Sequence, residues 1–339
     1  HTPVQIFPRD IDYTEWETLR KYPLLNWNMG MVYNLRESDE RIYPQGELGR
    51  RTIGLTGDRG NYGIEAVYRE ELAGRDGRAT RQRIARGFYG RVVDGDNIDP
   101  IDGLDVVTTL DLDVQDVANR YLREQLEAQN AIWGTTIVME VRTGEILALV
   151  NLGRTPGGGY AERENYAIGR NTEPGSTFKL ASMLLLLDDA DMPLDQTYDT
   201  GNGRVVKVGG IRVQDSHAGF NDMDFRTAVA QSSNVYFAKA IWERYADNKE
   251  RYSDFMKKLH LDQTVGLEAF GEKKPLFQDW KEVPDPNSML VRRSFGYRIK
   301  LSPIQVITLY NTIANDGKMI SPILVRELRR GDDLSLIHI

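Results

Sequence analysis

The sequence contains no cysteine, so disulfide bonds, thiolate metal sites and a cysteine nucleophile are all excluded. Its longest apolar run, residues 180–187, is far shorter than the roughly 20 residues that cross a bilayer. The chain begins at His1 without a starting methionine or a signal peptide. We therefore expect any N-terminal anchor to lie upstream of this segment.

The sequence also has few histidines and no net positive charge. The four histidines (His1, His217, His260 and His338) show no metal-ligand spacing, so we predict no metal site. The formal net charge of −7 and a pI near 5.3 disfavour a general nucleic-acid binder. With 40% hydrophobic and 27% charged residues, the 339 residues suit a globular protein of about two domains.

The pattern of apolar residues predicts an α+β domain that begins near residue 103. The β-branched segment 104–110 is typical of a strand, and Asp111 is a suitable N-cap for an amphipathic helix after it. Residues 135–141 and 145–150 form two apolar runs separated by a turn that contains Gly144. This arrangement predicts an antiparallel hairpin, followed by further helices.

A helix with polar residues in its first turn and apolar residues thereafter is predicted to start at Pro174-Gly175-Ser176. The following residues are apolar on nearly all sides, so we expect the helix to be buried. Because positions i and i+3 share a helix face, Lys179 can reach the hydroxyl of Ser176.

A serine hydroxyl becomes a good nucleophile when a neighbouring base takes its proton. Lysine can be that base if burial or a helix N-terminus destabilises its ammonium form. Ser176 and Lys179 are therefore candidates for a serine acyl-transfer site. The alternative is that Ser176 merely caps the helix and that Lys179 lies on the surface, because this spacing alone is a weak signal.

A second polar segment, Gln231-Ser232-Ser233-Asn234, precedes another helical stripe, for which Asn234 is a fitting N-cap. One interpretation is that this segment only caps the helix that follows it. It can also be functional: Ser232 would pass a proton between Lys179 and a leaving amine, while Asn234 would hold a substrate amide and contact Lys179. We include both as candidate catalytic and substrate-binding residues. Asp215-Ser216-His217 is not expected to form a catalytic triad, since adjacent residues seldom face one another productively.

Ser-x-x-Lys followed by Ser-x-Asn is a combination typical of penicillin-binding proteins and serine β-lactamases. Segment 173–179 resembles the active-serine motif of penicillin-binding proteins, and Ser232-Ser233-Asn234 resembles their second motif. Other segments are similar to the same family in the expected order. They are 105–111 with Gln115, 143–148, Ser294-Phe295-Gly296-Tyr297 and 301–305.

The resemblance implies a monofunctional (class B) penicillin-binding protein. Residues 1–102 would be part of the N-terminal pedestal, of the dimerisation type, and residues 103–339 a truncated transpeptidase domain with an antiparallel sheet and flanking helices. Segments around 139–141, 150–152 and 215–217 look most like division-type enzymes of the Bacteroidetes kind. The implied location is the periplasmic face of the bacterial inner membrane, and the implied partners are a polytopic membrane glycosyltransferase and other division proteins.

The implied reaction is peptidoglycan D,D-transpeptidation in septal wall synthesis, which needs no cofactor. Ser176 would be acylated by a D-Ala-D-Ala stem peptide or by a β-lactam, with Lys179 as base. A serine β-lactamase and a non-catalytic β-lactam sensor or scaffold of the same fold are the alternatives. The family's third motif, Lys-Thr/Ser-Gly, does not occur in the sequence. We therefore expect the sequence to be truncated before that motif, with final residues that need not be native.

Overall fold

The computed structural model describes residues 41–57, 60–78, 81–85, 88–91, 98–330 and 333–338, together with residues 15, 18, 21 and 22. The chain divides into two compact units, His1–Gln45 and Gly46–Ile339. The helices and strands named here belong to the second unit. The boundary expected near residue 103 stays a prediction.

Short helices come first, and strands and longer helices then alternate. The helices are α1 (Arg50–Ile53), α2 (Gly63–Val67), α3 (Arg69–Ala73), α4 (Leu112–Ala128), α5 (Tyr166–Gly169), α6 (Lys179–Leu184), α7 (Phe225–Ala230), α8 (Asn234–Tyr245), α9 (Lys249–Lys258), α10 (Pro286–Arg293) and α11 (Pro303–Ala314). The strands are β1 (Arg81–Ala85), β2 (Phe88–Arg91), β3 (Asp105–Thr108), β4 (Trp133–Met139), β5 (Ile146–Arg154), β6 (Tyr160–Ala161), β7 (Tyr198–Asp199), β8 (Val206–Val208), β9 (Ile211–Val213), β10 (Asp222–Met223), β11 (Val325–Arg330) and β12 (Asp333–His338).

The predicted hairpin is confirmed. Strands β4 and β5 pair antiparallel, with Ile137 opposite Leu149, and β6 extends the sheet in the order β4-β5-β6. The connection turns at Gly144, which has a φ of +81° that favours glycine. A second three-stranded sheet has the order β12-β11-β3 and places β11 beside β3, the strand predicted near residue 104. Mixed helices and antiparallel sheets confirm the α+β class.

Helix α4 begins as the sequence predicts. The Asp111 carboxylate accepts hydrogen bonds at 3.0 Å from the amides of Asp113 and Val114, which have no partner inside the helix. The buried Gln115 then pairs with strand β5: its Nε2 donates to the Leu149 carbonyl, and its Oε1 accepts from the Leu149 amide at 2.8 Å. The Gln115 side chain thus bonds to both backbone groups of Leu149 and joins α4 to β5.

The largest apolar core surrounds the helix that starts at Gly175. Phe178, Leu185 and Leu186 of this helix are at most 1% exposed. They pack with aromatic residues of α8, among them Tyr236 and Phe237. The predicted burial of the helix is confirmed. This packing fixes the position of the first turn, which carries Ser176. Within the described residues, no helix has the length and apolar character needed to cross a membrane.

Candidate active site

The Ser176 segment is a 3₁₀ turn rather than the start of a regular α-helix. Residues Gly175–Phe178 form the 3₁₀ turn, α6 continues it, and Leu185–Asp189 form a π-helical turn. A 3₁₀ turn has three residues per turn, so side chains three apart are eclipsed. This aligns Ser176 with Lys179 more closely than the α-helical spacing in the prediction does.

Lys179 is buried beneath an exposed Ser176. The Lys179 side chain is in a residue only 4% exposed, and its Nζ lies 3.2 Å from the Ser176 Oγ. Ser176 makes no side-chain capping bond at this helix start, where Pro174 is in the N-cap position. Both parts of the structural alternative, a capping serine and a surface lysine, are therefore wrong.

The second motif meets the first at Lys179. The Lys179 Nζ donates to the Ser232 Oγ at 2.9 Å and also to the Ser232 carbonyl, across 53 residues of sequence. With Ser176, these contacts occupy all three donor positions of the ammonium group. The structure thus brings three of the four candidate residues together around one nitrogen.

Ser232 reaches Lys179 because of the turn in which it lies. Helix α7 ends before it, the Ser232 amide donates to the Val229 carbonyl, and the Ser233 amide donates to the Ala228 carbonyl. These two bonds define a Schellman motif, whose C′ position needs a left-handed backbone and is usually glycine. Ser232 occupies it with a φ of +52°. A non-glycine residue there costs on the order of 1 kcal/mol, so the strain is consistent with a need for its hydroxyl.

Asn234 is the first residue inside α8 and not its N-cap. The N-cap of α8 is Ser233, whose Oγ accepts from the Tyr236 amide at 3.0 Å, and Asn234 is the first helical residue. The prediction that Asn234 is the cap is therefore wrong. Its side chain donates to the Gln214 carbonyl at 3.1 Å, and no hydrogen bond joins it to Lys179 among the described residues.

Asp215 is a site residue that the sequence pattern did not reveal. It is 6% exposed, and its carboxylate accepts from the Ser233 Oγ at 2.8 Å and from the Val235 amide at 2.9 Å. It therefore fixes the start of α8 directly after Ser232. The available signal was an aspartate within 20 positions of the Ser-Ser-Asn segment, but sequence alone shows neither that it is buried nor that the two meet.

Burial sets the protonation of the lysine. Loss of water around the ammonium lowers the pKa of Lys179 to about 8, and the negative charge of Asp215 opposes part of that shift. At pH 7 about a tenth of the amine is then neutral, and in that form the nitrogen can accept the Ser176 proton. Among the described residues, no group of histidine, aspartate or glutamate side chains has the arrangement of a metal site.

Comparison with known proteins gives the same family as the motifs. The family model of the penicillin-binding protein transpeptidase domain matches residues 134–335. The chain is 30% identical over 292 residues to the probable peptidoglycan D,D-transpeptidase PenA of Neisseria gonorrhoeae, a match that covers 83% of this chain and 48% of that protein. It is 27% identical over 299 residues to the peptidoglycan D,D-transpeptidase FtsI of Escherichia coli, covering 84% and 48%. The chain thus spans about half the length of these relatives.

Solved structures share the fold. A peptidoglycan synthetase from Bifidobacterium adolescentis superposes with a TM-score of 0.72 at 25% identity, covering 86% of this chain and 53% of that one. Penicillin-binding protein 3 of Mycobacterium tuberculosis, in complex with aztreonam, superposes with a TM-score of 0.70 at 23% identity, covering 87% and 62%. The chain therefore belongs to the penicillin-binding protein transpeptidase family, in the class B group that its motifs predicted.

Proposed function

We propose that this chain is the catalytic region of a peptidoglycan D,D-transpeptidase that works through an acyl-Ser176 intermediate. One observation carries the proposal: the buried Lys179 Nζ lies between two hydroxyls, 3.2 Å from Ser176 and 2.9 Å from Ser232. A single base is therefore in hydrogen-bond reach of the nucleophile and of a second proton carrier. The names of relatives such as PenA and FtsI support peptidoglycan as the substrate.

Acylation begins when neutral Lys179 takes the proton of the Ser176 hydroxyl. The Oγ attacks the carbonyl carbon of the bond between the two terminal D-alanines of a stem peptide, and an oxyanion forms. The partial positive charge at the start of the Ser176 helix stabilises that oxyanion. The proton on Lys179 then passes through the Ser232 hydroxyl to the leaving nitrogen. Free D-alanine departs and an ester remains on Ser176.

The second half-reaction reverses these proton movements. An amine from a neighbouring stem peptide attacks the ester carbonyl and gives its proton to the Ser232–Lys179 pair. The bond to the Ser176 Oγ breaks, and that oxygen regains its proton from Lys179. Asn234, whose side-chain amide lies at the start of α8 next to this pair, would hold a backbone amide of the substrate. A β-lactam would acylate Ser176 by the first half-reaction alone.

The cellular setting is part of the proposal. Relatives that include FtsI and the stage V sporulation protein D of Bacillus subtilis support a role in building septal or similar specialised wall. The natural protein would act at the periplasmic face of the inner membrane, held by an upstream helix, with a polytopic glycosyltransferase and other division proteins as partners. Residues 1–102 would belong to its pedestal. The Bacteroidetes-like origin stays a prediction.

Labelling with a fluorescent penicillin tests the nucleophile. The natural protein that carries this sequence is expected to take up one label, and Ser176→Ala is expected to take up none. Ser216→Ala, which removes an exposed hydroxyl on the Asp215 segment, is the matched control and should label like the parent. Undiminished labelling of Ser176→Ala would contradict the assignment.

The same experiment separates the related functions. A transpeptidase holds the label for long periods and also joins stem peptides when given a donor and an acceptor. Rapid release of hydrolysed drug would instead show a β-lactamase. Stable labelling without any reaction of stem peptides would show a sensor or scaffold.

A further inference from the structure

The segment Ser294-Phe295-Gly296-Tyr297 has no part in the proton transfers described above, yet it lies against the nucleophile. It follows α10 directly. The Gly296 carbonyl accepts a hydrogen bond at 3.1 Å from the amide of Gly175, the residue before Ser176. Residues 294–298, called here the positioning turn, are therefore bonded to the backbone next to the reacting oxygen.

The contact is too close for any side chain. Gly296 has a φ of +88°, and a Cβ placed on it would lie 1.9 Å from the Gly175 carbonyl oxygen. Real Cβ atoms do not approach backbone oxygens so closely, so even a methyl group would displace Gly175. Gly175 itself has a left-handed φ of +57°, which means that the chain entering Ser176 is already held in an unusual conformation.

Further bonds secure the nucleophile segment on either side of Ser176. Before it, the Glu173 carboxylate accepts from the Arg298 amide at 3.0 Å. After it, the Ser182 hydroxyl donates to the Ser294 carbonyl at 2.8 Å. From α11, the Tyr310 hydroxyl donates to the Thr177 carbonyl at 3.0 Å.

The positioning turn is itself immobilised from behind by Arg293. This arginine is fully buried, and its guanidinium lies 4.5 Å from the ring centre of Phe277 and 4.9 Å from that of Trp280. Its Nη2 donates to the Gln278 carbonyl at 2.7 Å, and its Nε donates to the Arg298 carbonyl at 3.2 Å. Arg293 therefore ties the end of the turn to the core. If a side chain at Gly296 clashes with Gly175, we expect the segment that carries Ser176 to move rather than the turn.

We propose that the positioning turn and Tyr310 of α11 together set the reactive position of Ser176, with Gly296 and Tyr310 as the positioning residues. The proposal rests on the acyl-serine function proposed above. Neither residue exchanges a proton with substrate. They act through Gly175 and Thr177, which flank the nucleophile, and so through the distance from the Ser176 Oγ to Lys179 and to the carbonyl under attack. A displacement of about 1 Å at a reacting group can cost on the order of 100-fold in rate.

Gly296→Ala and Gly317→Ala form a matched pair for the test. Both glycines have a left-handed backbone, with φ values of +88° and +78°, but a Cβ at Gly317 has no atom within 4 Å. The two variants therefore share the conformational cost of alanine and differ in the clash with Gly175. The measurements, made on the natural protein, are the acylation rate constant at saturating penicillin and the drug concentration that gives half of that rate.

Gly296→Ala is expected to lower the saturating rate constant about 100-fold, with a small change in the half-saturating concentration. Gly317→Ala should acylate at the parent rate. Tyr310→Phe removes one hydrogen bond without changing the backbone and should lower the rate constant about 3- to 10-fold. In both positioning variants the pH at which the rate levels off should match the parent, because burial and Asp215, which shift the pKa of Lys179, are not altered by either substitution.

Two results would overturn the inference. One is that Gly296→Ala acylates as fast as Gly317→Ala; the other is that both positioning variants change only drug binding or thermal stability. If Gly296→Ala does not fold, the Tyr310→Phe rate alone decides. A parent protein that is never acylated would refute the proposed function instead, so the two failures are distinguishable.

Discussion

Asp215 accepts a hydrogen bond from the Ser233 hydroxyl at 2.8 Å, inside the protein and next to the turn that carries Ser232. The same carboxylate accepts from the Val235 amide at 2.9 Å and thus binds two groups at the start of α8. Ser233 is the middle residue of the Ser-Ser-Asn motif. Its hydroxyl donates to Asp215 and accepts from the Tyr236 amide, and so holds the motif in place.

The charge of Asp215 is expected to show in the pH dependence of acylation. Its negative charge raises the pKa of Lys179 against the larger lowering caused by burial. Asp215→Asn keeps the shape but removes the charge, so the pKa of Lys179 should fall. The rising limb of acylation rate against pH should then move to lower pH. Asp188→Asn, an exposed change at the far end of the same helical segment as Lys179, should leave the limb in place. A shift to higher pH in Asp215→Asn would contradict this account.

Lys179 should govern how acylation depends on pH. Its pKa is lowered to about 8, and the neutral amine is the form that takes the Ser176 proton. The acylation rate should therefore fall about 10-fold per pH unit below 8 and level off above it. Rapid-mixing measurements with a penicillin between pH 6 and pH 9.5 give the profile. Lys179→Met should lower the plateau by at least about 100-fold, and a profile unchanged in that variant would exclude Lys179 as the base.

Gln115 should stabilise the fold without affecting the chemistry. It pairs with both the amide and the carbonyl of the buried Leu149. Gln115→Ala leaves that amide without its partner and should lower the free energy of unfolding by about 1–3 kcal/mol. Gln125→Ala, on the exposed side of the same helix, is the control. Denaturant unfolding monitored by circular dichroism measures both, and equal losses in the two variants would contradict the role.

Glu162 should make stability depend on pH near neutrality. Burial raises its pKa to about 7, although the carboxylate accepts a hydrogen bond from the Arg51 amide at 2.7 Å. The positive charge of Arg51 opposes that rise and the negative charge of Glu47 adds to it. Because the folded protein binds this proton more tightly than the unfolded chain does, the free energy of unfolding should increase as pH falls from 8 to 5.

The gain is expected to be about 1–3 kcal/mol. Glu162→Gln carries no charge at either pH and should lack this part of the dependence. The measurement is the difference in unfolding free energy between pH 8 and pH 5 for parent and variant. Identical differences in the two proteins would show that Glu162 does not titrate in this range.

Much of the fold was predictable because it depends on neighbours in sequence. The cap at Asp111 follows from a carboxylate placed two and three residues before free amides. The β4–β5 hairpin follows from two apolar runs around a turn with glycine. The prediction for Asn234 was one residue out because Ser233 and Asn234 are both good capping residues, and the bond from Ser233 to Asp215 selects between them.

The sequence by itself determined the pairing of Ser176 with Lys179, because a spacing of three residues at a helix start brings side chains onto one face whatever surrounds them. The tertiary structure decided the rest of the site. Only packing brings Ser232 to Lys179 from 53 residues away, and only packing places Gly296 where Gly175 leaves no room for a side chain. Only packing, too, removes water from the Lys179 amine and so lowers its pKa. Spacing in the sequence decides which side chains share a face of one helix or strand, whereas burial and long-range contacts depend on how the elements pack against one another.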